Sequence, residues 1–372
     1  MKIGLAIYNF DPRKGGAERY ACDLSARLVR RGHAVYVFCA GGVEVQGVTL
    51  VKVNTTPFPR WLRNLSFALN HKRLLRTIPL DVMLGFGNTL ELDIYQSHGG
   101  VQNVWMEREI ASYDDPGERK RKAFLLRNSI NQRVQQFISE YPIKRKTYSR
   151  IVAISEMVRN HMSEYYGIKQ GSIDTVYNGV DTGRFRPARA KPEGPLKILF
   201  SAGNFRLKGL LPLLLAAGEL RKEGKDFQVR IMGRGRKDRY QKIIERLNLT
   251  GCVAFLGEQS SPEAVYQESH ILAHPTFYDA CSLTTMEGMA CGLPAITTKW
   301  NGASALISSN EGYVIDEPGD IHGLTKAIRD LFNEEYRDRL GKNARIKIEG
   351  YTMERNGEEM EKILSSVSRQ RP

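Results

Sequence analysis

The sequence predicts an α/β protein of two domains, each a parallel sheet alternating with helices. Three observations carry this. Strand-length apolar runs alternate with helical periodicity over residues 3–38 and again over 197–232. A stretch with three prolines and no apolar periodicity, Arg186–Pro195, separates the two. And 372 residues exceed what one hydrophobic core usually organises.

Composition narrows the class. Hydrophobic content of 41% fits a soluble globular protein, and no apolar run reaches the ~20 residues of a membrane span. The N-terminus reads as a first strand, not a signal peptide. Five scattered cysteines with no C-x-x-C argue against disulfides or zinc and for a reducing compartment. The net charge of +14 calls for an anionic partner: nucleic acid, an anionic membrane or a phosphorylated substrate.

Residues 3–8 form the first strand, followed by the turn-rich loop Asp11–Gly16. A helix follows, with Ala17, Tyr20, Ala21, Leu24 and Leu28 on one face; Gly32 ends it and Ala34–Phe38 is the second strand. Gly15 and Gly16 match neither the dinucleotide fingerprint nor a P-loop, and a bare glycine pair is often only a turn. Val48–Val53 and Asp81–Phe86 are further strands. His98 stands just past the strand end at 93–97, where ligands bind in open α/β sheets; the alternative is a loop histidine with a structural hydrogen bond.

Residues 118–150 hold ten Lys/Arg against two acids, with Leu126, Ile130, Val134 and Ile138 every four residues. That pattern predicts one amphipathic basic helix. Arg119, Lys120, Arg121 and Lys122 would face an anionic leaflet, or the stripe packs inside and the charges are solvated. A strand at 150–155, a Ser155-capped helix to Tyr166 and a strand at 173–177 complete the first half.

The second half opens with a strand at 197–202. Gly203 to Gly209 is a glycine-flanked strand-to-helix corner carrying Arg206 and Lys208, suited to a diphosphate. A helix over 210–222 and a strand over 227–232 lead to the close-approach loop at Gly233–Gly235. The central stretch runs from His274 to Thr298. Asp279 sits in its loop, small residues (Ala280, Cys281, Ser282) precede a helix opened by Ser282, Leu283 and Thr284, and Glu287 lies about a turn inside. The unpaired N–H groups and positive dipole end of such a helix receive phosphate, and a carboxylate at Glu287 suits sugar hydroxyls. The alternative is a capped core helix with two surface acids. Further helices follow at 321–332, 336–346 and 354–364.

The chain resembles the retaining GT-B glycosyltransferases of family four. The resemblance rests on an acid, seven residues, Glu, then G-x-A-x-G-x-P, with Asp279 in place of the usual first Glu; on the Gly15–Gly16 loop; on N-G-V-D-x-x-x-F-x-P from Asn178; and on the Arg206–Lys208 loop. It implies two Rossmann-like domains facing a cleft: 1–186 binding the acceptor, 187–353 binding a nucleotide sugar, and 354–372 a helix packing back on the first. It implies that Asp279 and His98 touch the donor sugar or acceptor, that Glu287 holds the ribose, and that Arg206 and Lys208 neutralise the leaving diphosphate. Gly15, Gly16, Gly203, Gly233 and residues 280–284 would let the backbone approach the donor.

No Asp-x-Asp motif lies in a suitable loop, so neither a metal nor another cofactor is expected. Within the family the chain most resembles the bacterial lipopolysaccharide-core glucosyltransferases acting on inner-core heptose. The expected function is therefore a retaining, metal-independent transfer of a hexose, glucose from UDP-glucose, to an anionic glycolipid. The enzyme would sit in the cytoplasm, peripheral on the inner face of the cytoplasmic membrane, with no nucleic-acid partner. Two other readings stand beside it: a basic nucleic-acid-binding protein, which leaves Asp279 and Glu287 idle, and a sugar-nucleotide epimerase.

Overall fold

The structure is a computed structural model that describes residues 1–190 and 193–368. Lys191 and Pro192 of the expected linker, and the last four residues of the expected terminal helix, lie outside them. Contacts divide the chain into two units. Unit 1 takes Met1–Ile110, Asp115–Asn178 and the segment from Met353; unit 2 takes Ala111–Asp114 and Gly179–Thr352.

Unit 1 contains β1 (Lys2–Ala6), β2 (Asn9–Phe10), α1 (Gly16–Arg30), β3 (Ala34–Cys39), β4 (Gly41–Gly42), β5 (Val48–Lys52), α2 (Arg60–Leu74), β6 (Val82–Gly85), β7 (Ile94–Ser97), α3 (Gln102–Ala111), α4 (Pro116–Arg127), α5 (Ile130–Arg145), β8 (Arg150–Ala153), α6 (Glu156–Tyr166) and β9 (Ile173–Thr175). Seven of its strands form one sheet in the order β5-β3-β1-β6-β7-β8-β9, and every pairing is parallel. Ile3, Leu5, Val35, Val37, Val82 and Leu84 are buried against Leu24 and Leu28 of α1, the helical face expected from the spacing.

Unit 2 contains β10 (Leu196–Ser201), α7 (Leu210–Lys222), β11 (Phe227–Met232), α8 (Asp238–Arg246), β12 (Val253–Gly257), α9 (Pro262–Gln267), β13 (Ile271–His274), α10 (Leu283–Ala290), β14 (Ala295–Thr298), β15 (Gly312–Ile315), α11 (Ile321–Asp330) and α12 (Glu334–Ile348). Its sheet runs β12-β11-β10-β13-β14-β15, again parallel throughout. α7 is apolar nearly all round and is correspondingly buried.

α13 (Met353–Ser368) returns to unit 1. Met360, Leu364 and Val367 enter the core beside Leu24 and Leu28. Arg27 pairs with Glu354 at 2.5 Å, and His33 Nε2 lies 2.7 Å from Glu361.

Three expectations need correction. Residues 179–186 belong with unit 2, not the first domain, because Arg345 donates to the carbonyls of Thr182 and Phe185 at 3.2 and 3.0 Å. The single basic helix is two: the Asn128 side chain takes the Phe124 carbonyl at 2.8 Å, and Ser129 caps α5 by accepting from Gln132 N at 3.3 Å. Only Leu126 and Ile138 of its expected stripe are buried, while Ile130 is 58% exposed. α2, α3 and α9 carry no clear periodic signal in the sequence; α2 buries only Phe67, Ala68 and His71, too few to mark a face.

Candidate active site

Because the sheet of unit 2 is parallel, the loops leaving β10, β11, β13 and β14 gather along one edge, where ligands of such sheets bind. In the first loop, Phe205 and Leu207 are buried while Arg206 and Lys208 between and beyond them stay partly exposed. Leu207, the residue that separates the two cations, is thus an anchor. Its carbonyl accepts from Phe277 N at 2.8 Å and from Thr276 Oγ1 at 3.2 Å. Gly209 has φ 86°, and a Cβ there would lie 1.9 Å from the Pro275 carbonyl oxygen. No other residue permits so close an approach of the two loops.

That approach delivers Lys208 to Asp279. Lys208 Nζ lies 2.6 Å from Asp279 Oδ2 and donates to the Tyr278 carbonyl at 2.9 Å. His274 Nε2 is 3.4 Å from the same carboxylate oxygen, with its side chain 1% exposed against 20% for Asp279. Burial raises the Asp279 carboxyl, but the Lys208 charge and the His274 ring outweigh it and hold the acid well below the usual carboxylate range. Burial lowers His274, partly opposed by Asp279. At neutral pH the cluster is a neutral imidazole beside a carboxylate–ammonium pair, so Asp279 accepts hydrogen bonds and holds no proton to give.

The helix tip beside it is prepared for an anion. Ser282 caps α10 by accepting from Thr285 N at 3.2 Å, and Ser282 N donates to Asn301 Oδ1 at 3.2 Å. Among the described residues the N–H groups of Leu283 and Thr284 find no acceptor, and both residues are partly exposed. Two orphan donors at a positive dipole end are the physical basis of a phosphate site.

One turn in, Glu287 is 8% exposed and accepts from the Tyr266 hydroxyl at 2.9 Å. It is not a surface acid. Burial, then the Glu287 charge, push the Tyr266 phenol well above its ordinary range, so it remains a donor to the carboxylate.

Two positioning residues escaped the sequence reading. Tyr266, from α9, fixes Glu287. Asn301, fully buried, accepts from Ser282 N and Ala303 N and donates to Thr285 Oγ1 and Thr297 Oγ1, both at 2.9 Å. It ties the exit of β14 to the start of α10 and satisfies its whole amide. A lone Asn just past a strand end is the only signal the sequence carries for it. Gly233, with φ 125°, comes so near Ala202 that a Cβ would lie 1.9 Å from its carbonyl oxygen; Gly203 has open space at that position.

Arg206 points elsewhere. Its guanidinium lies 3.7 Å from the centroid of the Tyr113 ring and hydrogen-bonds Ser112 Oγ, both in the segment that joins unit 2. Lys208, Asp279, Glu287 and residues 280–284 are therefore brought together, while Arg206 is stacked on an aromatic face.

In unit 1, His98 follows β7 and lies half-buried among aromatics, its ring 4.8 Å from Tyr20 and 5.8 Å from Phe86. Gly15 caps α1 with extended backbone (φ 177°), and Gly16 is the first helical residue. Arg119, Lys120, Arg121 and Lys122 lie on α4. Lys122 departs from the expected outward set: its Nζ is 4.0 Å from buried Glu109, which draws the cation inward.

Comparison with known proteins agrees with this architecture. The profile of the family described as Glycosyl transferases group 1 matches residues 181–347, and that of Glycosyltransferase Family 4 matches 14–184. The D-inositol 3-phosphate glycosyltransferase of Paenarthrobacter aurescens (strain TC1) is 28% identical over 226 residues, 56% of this chain; the chain spans only 55% of that relative's length. WaaG, a glycosyltransferase involved in lipopolysaccharide biosynthesis, superimposes with a TM-score of 0.79 at 19% identity, covering 97% of this chain and 99% of WaaG. Anabaena Alr3699/HepE in complex with UDP-glucose gives 0.73 at 16% identity over 98% and 100%. With two all-parallel α/β units and these matches across nearly its whole length, the chain belongs to the GT-B glycosyltransferases of the group 1/family 4 superfamily.

Proposed function

We propose that this enzyme is a retaining hexosyltransferase that moves glucose from UDP-glucose to an anionic, lipid-linked glycan, the lipopolysaccharide inner core. The observation that carries the donor half is the cluster at one strand edge: the Lys208–Asp279 pair, two acceptorless amides at Leu283 and Thr284, and Glu287 one turn below. The amides and Lys208 receive the diphosphate, Glu287 the ribose hydroxyls, and Asp279 the hexose. Alr3699/HepE, of the same fold, was solved with UDP-glucose.

In the transfer the bond between the anomeric carbon and the diphosphate oxygen breaks, and the acceptor oxygen bonds to that carbon on the same face. The acceptor proton passes to the departing phosphate. Since Asp279 is held ionised and His274 is buried, neither protonates the leaving group. Its charge is met by Lys208 and the helix amides, which are already in place before it develops. In this reading no metal shares that charge, and Arg206 joins the diphosphate only on leaving Tyr113.

The acceptor half rests on the charge of +14 and on unit 1. Beside Arg119, Lys120 and Arg121 on α4, Phe124 is 67% and Leu125 55% exposed; Phe58, Ile130 and Phe137 are exposed in the same unit. Cations with exposed apolar side chains suit an anionic leaflet, each surface-proximal cation adding about 1 kcal/mol. No described helix is long and apolar enough to cross a membrane, and peripheral attachment on the cytoplasmic face is the matching placement.

The test is calorimetric titration of purified protein with UDP-, GDP- and ADP-glucose, with and without EDTA. UDP-glucose should bind tightest, unaffected by EDTA, and Glu287→Ala should weaken it about tenfold. No preference for a nucleotide sugar, or binding that vanishes with EDTA, would end this reading.

A further inference from the structure

A second pocket lies wholly in unit 1, at the carboxyl edge of the seven-stranded sheet. It has a volume of about 400 Å³, and no acidic residue lines it. Residues just past β1 (Tyr8, Asn9) and β6 (Gly87, Asn88) form its floor, and Gln102, the first residue of α3, follows β7. One face of α2, with Arg60, Arg63, Asn64 and Phe67 at helical spacing, makes one wall; Gln135, Ile138 and Ser139 of α5 make the other.

Its chemistry is specific. Arg60 and Arg63 have no acidic partner among the described residues; the Arg63 guanidinium lies 5.4 Å from the Tyr8 ring centroid, and its Nε is buried with no hydrogen-bond acceptor. A buried guanidinium nitrogen without an acceptor costs free energy unless a ligand supplies one. The first turn of α2 has no side-chain cap, which leaves its positive end aimed into the same region as its arginines. Around these charges stand amides rather than more cations. Asn64 donates to Asn131 at 3.2 Å and Gln102 to Gln132 at 2.6 Å, leaving their own oxygens as acceptors. With its amide turned so that each atom meets a partner, Asn88 donates to Ala6 O at 3.2 Å and accepts from Tyr8 N at 3.0 Å; the Tyr8 ring packs 5.2 Å from Phe67. Donor-acceptor amides beside an aromatic ring suit vicinal hydroxyls; two forked guanidiniums suit a phosphate or carboxylate.

We propose that this pocket binds the acceptor through a sugar that itself carries an anionic group, with Arg60 and Arg63 reading the charge and the amides of Asn64, Gln102 and Gln135 reading the hydroxyls. The proposal rests on the acceptor half of the function above and sharpens it: the negative charge recognised is on the saccharide, not on a lipid headgroup. Arg60 and Arg63 set acceptor specificity and take no part in breaking the donor bond.

The full chain, with and without saturating UDP, is titrated with glucose 6-phosphate, mannose 6-phosphate and glucuronate, each against its neutral parent sugar, and with inorganic phosphate. At least one charged sugar should bind about tenfold tighter than both its parent and inorganic phosphate. Arg63→Ala and Arg60→Ala should abolish that difference, Arg63→Lys should retain part of it, and all three should bind UDP as the parent does, which also shows that they fold. Equal binding of charged and neutral sugars, inorganic phosphate binding as tightly as a sugar phosphate, or arginine variants that keep the preference would overturn the proposal. Failure of the parent chain to bind UDP would strike the donor reading instead, and the sugar titrations without UDP would still decide this one.

Discussion

The two sheet edges share a topology and differ in how they are finished. At the edge of unit 2 the key side chains already have partners and only the helix-tip amides wait for one: Lys208 has Asp279, Glu287 has Tyr266, and Asn301 spends its whole amide on neighbouring loops. Two glycines bring backbone to backbone where a Cβ would overlap a carbonyl. At the edge of unit 1 two arginines stand without acids among amides. One edge is preorganised for a fixed chemical group, as a diphosphate would be; the other leaves its guanidiniums without an anionic partner, Arg63 meeting only the Tyr8 ring. A rigid cradle and an adaptable one are what unequal demands on donor and acceptor would select on the same scaffold.

The comparison is tested hardest at Lys208. Lys208→Ala should lower turnover, measured as UDP release from UDP-glucose, by about 10²- to 10³-fold, the usual loss when one charge-stabilising donor is removed. Arg63→Ala should instead raise the acceptor KM with far less change in kcat. Equal turnover in Lys208→Ala and parent would reduce the Lys208–Asp279 pair to a tie between two loops.

Asn301 tests whether the rigidity of unit 2 matters. Asn301→Ala strips partners from two amides and two hydroxyls in a buried site, and should cost about 3 kcal/mol in urea unfolding with weakened UDP binding. A loss below about 1 kcal/mol would show that the exit of β14 holds its place without this side chain.

Acid should separate the units in another way. His71 of unit 1 is fully buried beside Phe38 and Phe67, and burial lowers its pKa to about 4. Between about pH 6.5 and 4 the unfolded chain binds a proton there that the folded chain refuses, so stability falls as pH falls through that window. The loss should reach about 2 kcal/mol at pH 5, and His71→Leu should remove it. His274 of unit 2 is also lowered by burial, but Asp279 opposes the shift, so His274→Gln should flatten the slope less.

What the sequence made legible follows the range of the forces involved. Periodicity placed the strands and the buried face of α1, because those depend on residues two to four apart. The motif around Asp279 and Glu287 located the helix tip for the same reason. Contacts between distant loops leave no trace in the sequence: nothing near Lys208 says that Leu207 anchors it, nothing near Arg206 says that Tyr113 will take it, and the partner of Glu287 lies on α9, a helix of six residues that is too short to show a periodic face. The split between α4 and α5 was missed because apolar spacing continued across Asn128–Ser129, where side-chain caps end one helix and begin the next.

The smallest effect probes the tightest claim about Glu287. Tyr266→Phe removes one hydroxyl and changes little else in volume, leaving the carboxylate buried with one donor fewer. A hydrogen bond to a charged group is worth about 1.5–3 kcal/mol, and at an 8% exposed acid the lower figure of about 1.5 kcal/mol in unfolding free energy is expected. If the phenol also orients Glu287 toward a ribose, UDP affinity should drop by a few-fold while uridine-free diphosphate binds as before, since the helix amides and Lys208 are untouched. A matched loss for both ligands would place Tyr266 in the stability of α10 alone and would separate the ribose contact from the carboxylate assigned to it.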